Sequence, residues 1–228
     1  MSVKTSVNPP ATGDVYHILR ESIVDGQFHP NERLVEASIA AKLGAGRTAV
    51  RAALVRLDQE GLVILEPNRG ARVRLIPEAE ALEIEEVRAT LEGMLALRAA
   101  TRASAETLNE LELVLVEMRR RVDENDALGY SELNARFHQL IWAAANHPTA
   151  SRLVGGLKSQ SIRFQYKTIL RPARTESSLR EHEAIFAALK ARNAEAAETA
   201  MRDHLAAVLD TLRWAMEGHR NPSGWLPA

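Results

Sequence analysis

The strongest constraint in this chain is a change of period at Ile76-Pro77. Before it, apolar residues come in three short helical groups and two strand-like runs; after it, every segment is helical and longer. From Asp14 to Asp25, Val15, Ile18, Leu19 and Ile23 follow a helical spacing that ends at Gly26. A second short helix is expected over about 35–43, closing on Gly44. A third is expected over about 47–60, with Val50, Leu54 and Leu57 on one face and Gly61 as its stop. "LVILE" (62–66) and "ARVRL" (71–75) are strand-like and joined by the turn Pro67-Asn68-Arg69-Gly70. Three short helices followed by a hairpin predict a winged helix-turn-helix over 14–76.

Beyond Pro77, helices are expected over about 77–103, 104–125, 128–146, 148–170, 175–192 and 194–217, with breaks at Ser104, Asn125/Asp126, Pro148, Pro172 and Asn193. Six helices of similar length with short connections predict an antiparallel bundle over 77–218. The fold class is therefore mostly α. Residues 1–13 and 219–228 read as loose tails.

Charge is balanced overall, 29 Lys and Arg against 30 Asp and Glu, so the whole chain carries no nucleic-acid or membrane signature. The balance is uneven locally. Between Arg47 and Arg74, six arginines face three acids (Asp58, Glu60 and Glu66). With no cysteine there is no disulfide framework and no thiolate metal site, which fits a reducing cytoplasm. No apolar run approaches the roughly 20 residues of a membrane span. A cytoplasmic protein without membrane contact is expected.

In "LGAGRTAVRAALVRLDQEGLV" (43–63), Arg47, Thr48 and Arg51 cluster at the start of the third helix, away from its apolar face. Only the first turns of a recognition helix reach base edges, and an arginine there can pair bidentately with guanine O6 and N7. The wing turn would set Arg69 over a neighbouring minor groove or phosphate. Double-stranded DNA is the expected partner. One winged helix reads only a few base pairs, so a homodimer on a palindromic operator follows.

The bundle carries a different signal. His138 lies among Leu133, Phe137 and Ile141, His182 among Leu179, Ile185, Phe186 and Leu189, and His204 among Met201, Leu205 and Val208. Each therefore faces inward, and Asn134 shares the face of His138 one turn earlier. A single inward histidine is more often a satisfied core residue. Three imidazoles and an amide oxygen from three helices of one bundle can converge on a divalent metal such as Zn, Ni, Fe or Mn.

The pattern "F-x-P-x-x-x-L…A-x-L-G-x-x-R-T-x-V-R-x-A-L-x-x-L-x-x-E-G-L-V…R-G-x-x-V", carried by Phe28 to Val73, resembles the GntR family of bacterial transcription regulators. The resemblance implies DNA contacts from Arg47, Thr48 and Arg51, with Gly70 at the wing tip. This chain departs from the common "G-V-S-R-T-P-V-R-E-A-L" at Ala45, Gly46, Ala49 and Ala52. The second segment is similar to the FCD effector domain of the FadR-type branch, in Asn134, His138, "HEAIFAAL" (182–189) and "MRDHL" (201–205); six helices favour the VanR-like subgroup. Many members carry Asp where this chain has Asn134. A neutral amide is the weaker ligand and leaves the metal with all of its charge, favouring an anionic effector.

Arg88 interrupts the apolar stripe Ile84, Val87, Leu91 and Leu95, and a buried arginine needs an anion. Glu92, one turn on, could satisfy it as a salt bridge; alternatively a bound carboxylate bridges Arg88 and the metal. Gln160 and Arg163 are candidates for the same cavity, although the period does not fix which way they face. The expected function is a ligand-responsive transcription regulator with a metal-assisted site for a small carboxylate effector, and the resemblance implies a repressor rather than an enzyme. Two rivals remain open: a metal-dependent hydrolase fused to a DNA reader, and a pure metal sensor.

Overall fold

The computed structural model describes residues 12–67, 69–169, 171 and 173–220. The chain divides between Ile76 and Pro77 into two compact units, each with its own core.

In the first unit, α1 (Thr12–Val24), α2 (Glu36–Leu43) and α3 (Arg47–Gln59) pack around Leu19, Leu34, Leu54 and Leu57. Gly44 ends α2 in a left-handed conformation, φ 62°, where a side chain would be strained. The sheet has three strands rather than the expected two: β1 (Arg33–Leu34), β2 (Val63–Glu66) and β3 (Gly70–Val73), in the order β1-β3-β2, all antiparallel. A two-residue strand has no period of its own, so β1 could not be read in advance. Its pairing Leu34↔Ala71 explains Gly70: φ there is +87°, and a Cβ would run into the Leu34 carbonyl oxygen.

The second unit consists of α4 (Glu78–Arg102), α5 (Ala105–Asp123), α6 (Ala127–Ala144), α7 (Pro148–Ile169), α8 (Arg174–Lys190) and α9 (Ala194–Arg220). The starts obey local chemistry. Ser104 accepts from the Thr107 N–H, Asp126 from the Gly129 N–H and Asn193 from the Ala196 N–H, each satisfying a donor that a helix start leaves open. Pro148 opens α7, where its missing N–H costs nothing. The last helix runs three residues past the expected end at 217, to Arg220. Helix α4 is the hub, packed against α6, α7, α8 and α9. Phe137, Leu95, Leu111, Ile141, Ile185 and Leu189 fill the core around it.

Candidate metal centre and nucleic-acid interface

Helices α6, α8 and α9 each turn one histidine into the bundle, and His138, His182 and His204 are 2%, 0% and 3% exposed. One ligand nitrogen from each lies within 4.8 Å of the others. Their outward nitrogens are held by oxygens. His138 Nδ1 donates to Glu92 Oε2 at 2.7 Å, and His204 Nδ1 donates to Glu181 Oε2 at 2.7 Å. His182 Nδ1 lies 3.3 Å from both the Tyr130 hydroxyl and Ser178 Oγ. With the proton placed on Nδ1, each ring presents its Nε2 lone pair inward, and the Nε2 atoms of His138 and His182 face each other at 3.3 Å. A carboxylate behind an imidazole fixes ring and tautomer, as second partners of metal-binding histidines do.

Burial pushes all three imidazoles below the ordinary histidine range, most strongly His182 and His204, which also face neighbouring rings. They are neutral at pH 7 and able to ligate. Asn134 lines the same cavity as His138 and His204, and its Oδ1 is buried with no hydrogen-bond partner. An orphaned acceptor of this kind costs about 1–3 kcal/mol. Three convergent imidazoles and one unsatisfied oxygen fit a divalent metal.

Arg88 has carboxylates on both sides. Its Nη1 donates to Glu85 at 2.7 and 2.9 Å, and its Nε and Nη2 donate to Glu92 Oε1 at 3.0 and 2.7 Å. The salt bridge to Glu92 is therefore formed, and Glu85 adds a second. Burial would raise the Glu92 carboxyl, but Arg88 and His138 hold it far below its usual range. Trp142 Nε1 also donates to Glu92, at 3.1 Å, and Ser161 Oγ to Glu85, at 3.1 Å. On the other flank, Arg174 holds Glu181 through two bonds of 3.0 and 3.1 Å.

Beside the histidines is a cavity of about 70 Å³, lined among others by Arg88, Asn134, His138, Lys158, Arg174 and His204. Arg174 also lines an outer cleft together with Arg171, Glu181 and Asp210. Gln160 does not line the inner cavity. At 100° per residue it stands on the other side of α7 from Lys158, which does. Arg163 lies on α7 with its side chain outside the described residues.

The first unit brings four of its arginines to one cleft of about 600 Å³, lined among others by Arg47 and Arg51 of α3, Arg69 and Gly70 of the wing, Arg33, and the acids Glu36 and Glu66. Arg47, Thr48, Arg51 and Arg69 are exposed, while Asn68 lies outside the described residues. Arg51 is engaged by Glu36 of α2, through bonds of 2.9 and 3.2 Å. Arg33 donates from Nε to the Arg69 carbonyl at 3.2 Å, tying β1 to the wing. Helix α3 starts without a side-chain cap, since Gly46 occupies the N-cap.

Sequence reasoning did not single out Arg33, Glu36, Tyr130, Lys158, Arg174, Ser178 or Glu181. Glu85 had a local signal, three residues before Arg88 on the same helix face. Ser178, one turn before His182, and the Arg174–Glu181 pair lie along α8 itself, whereas Arg33, Glu36, Tyr130 and Lys158, and Glu181 toward His204, meet their partners through tertiary packing.

A model of the bacterial regulatory proteins of the gntR family matches residues 11–73, and a model of the FCD domain matches residues 83–207. The HTH-type transcriptional repressor RspR of Escherichia coli (strain K12) is 31% identical over 215 residues, covering 93% of this chain and 94% of that protein. The HTH-type transcriptional repressor GlaR of the same organism is 28% identical over 220 residues, covering 90% and 97%. Among solved structures, E. coli McbR/YncC shares the fold with a TM-score of 0.75 at 22% identity, covering 90% of this chain and 98% of that one. Among the described residues, no helix is long and apolar enough to cross a membrane.

Proposed function

This chain belongs to the GntR family of bacterial regulatory proteins and carries an FCD domain, and from that premise we propose that it represses transcription as a homodimer on a roughly palindromic operator, with a divalent metal in its bundle and a small organic acid beside it as effector. The observation that supports the effector site is the cluster of His138, His182 and His204 beside a cavity lined by His138, His204 and the orphaned Asn134 Oδ1. A bound metal supplies positive charge and a Lewis-acid anchor for a carboxylate.

The protein's own groups do the rest. Glu92 and Glu181 keep the ligating nitrogens aimed inward. Asn134 contributes oxygen without negative charge, leaving the metal attractive to an anion. The acid then biases the protein toward a form with lower operator affinity. In the first unit, Arg47, Arg51 and Arg69 around one cleft support major-groove reading by α3 with the wing alongside. Gly70 contributes backbone shape rather than a side-chain contact. Repression is supported by the names of the relatives RspR and GlaR.

Elemental analysis of the purified protein, followed by operator titrations at fixed salt with metal alone and then with candidate acids, tests this reading. A protein that carries no metal and gains no thermal stability from Zn²⁺, Ni²⁺ or Mn²⁺ would overturn the metal site. If metal alone releases the operator and no acid adds to it, the protein is a metal sensor.

A further inference from the structure

Among the described residues, Arg88, Lys158 and Arg174 are the cations that line the bundle cavity, and they are not equivalent. Arg88 is held by Glu85 and Glu92, and Arg174 by Glu181, each through several charge-assisted bonds. No carboxylate among the described residues lies within ion-pair distance of Lys158 Nζ; it instead stands over the Trp142 ring, 5.6 Å from the centroid. A cation over an aromatic face recovers part of its lost hydration, about 0.5–2 kcal/mol, but does not neutralise it. A half-buried ammonium without an anion is a cost to the fold.

The surrounding charges sharpen the contrast. Glu85, Glu92 and Glu181 are each committed to an arginine, and two of them also to a histidine. None is left over for Lys158. Trp142, which carries the ammonium on its face, is itself fixed by its bond to Glu92. Across the same cavity, Asn134 Oδ1 is also without a partner. Two unsatisfied groups, one cationic and one accepting, thus face a space of about 70 Å³. At roughly 10–15 Å³ for each water-sized sphere, that space suits about half a dozen non-hydrogen atoms.

We propose that Lys158, not Arg88, is the residue that receives the effector's carboxylate, and that the effector is a small aliphatic acid of about this size. The assignment rests on the acid-binding reading of the bundle given above. It implies that Lys158 is kept for binding at the expense of stability, since a residue retained for packing would stabilise the free protein.

The test uses full-length protein loaded with Zn²⁺ and calorimetric titration with acetate, lactate, malonate, succinate and citrate, with lactamide as a neutral counterpart. Lys158→Met is expected to weaken the acids that bind the wild type by tenfold or more. Zn²⁺ affinity should stay within about twofold, and the melting temperature of the acid-free variant should be unchanged or higher. Lys158→Arg, which keeps the charge, should retain most of the binding, and lactamide should not distinguish the variants. If Lys158→Met binds acid as tightly as the wild type, the assignment is overturned while the acid site stands. A lower melting temperature or lost Zn²⁺ in Lys158→Met also overturns it, because Lys158 is then structural. If the Zn²⁺-loaded wild type binds none of the acids, the acid-binding reading itself falls, and Lys158 with it.

Discussion

Glu92 Oε2 accepts from His138 Nδ1 at 2.7 Å, while the other oxygen of the same carboxylate binds Arg88. One buried residue therefore sets both the aim of an imidazole and the neutralisation of a guanidinium. Glu92→Gln preserves the shape and removes the charge. It leaves Arg88 half-paired, at a cost of about 3–5 kcal/mol. Its amide can also donate to Nδ1 and move the histidine's proton to Nε2. Metal affinity is expected to fall about 10–100-fold; chelator competition measures it, and unchanged retention would remove Glu92 from the centre.

Asn134→Asp separates metal from effector. The new carboxylate adds negative charge where the orphaned Oδ1 now stands, so the ion should be held more tightly and be partly neutralised. Metal should resist a chelator better, and acid affinity should fall in the same variant. Retention equal to wild type would leave only the three histidines as ligands.

Arg51→Ala is expected to cost about 1–3 kcal/mol of operator affinity through one lost bidentate base contact. Glu36 orients Arg51 in the free protein. Glu36→Gln removes an acid from the arginine cleft and frees the guanidinium to move. Binding to random DNA should strengthen, while the ratio of operator to random affinity should drop, both measured at one salt concentration. A ratio that stays constant would mean that the Glu36 contact does not aim Arg51.

Burial and, next, the Arg88 guanidinium push the Lys158 ammonium down to about 8 from its ordinary 10.5. Between those values the unfolded chain holds the extra proton, so stability rises with pH across that window. The penalty is present in full below about pH 8 and gone near pH 10.5. The advantage in melting temperature of Lys158→Met over the wild type should be largest at pH 7 and shrink as pH rises through 8–10. An advantage that grows with pH would contradict the burial of this charge.

The helical frame was legible in the sequence because its signals are local. Ser104, Asp126 and Asn193 act where they stand, and apolar stripes repeat every 3.6 residues. The inward faces of His138, His182 and His204 followed from those stripes. Beyond that, legibility failed wherever the informative partner was remote. Glu181 meets His204 across 23 residues of sequence and Glu92 meets His138 across 46, separations that no period encodes. Lys158 escaped notice for a related reason: an ammonium on a helix reads as a solvated charge until the neighbouring acids are seen to be taken. Glu183, next to His182 on α8, pairs with Arg119.

Arg174 belongs to two spaces, the inner cavity and the outer cleft, and Glu181 clasps it between them. If the proposed effector entered from that cleft, it would have to displace the Arg174–Glu181 pair. The lifetime of the pair, rather than its strength at equilibrium, would then govern how long an occupant stays. A regulator built this way would answer to the recent history of its effector as well as to the momentary concentration, and shortening residue 174 would make its memory brief.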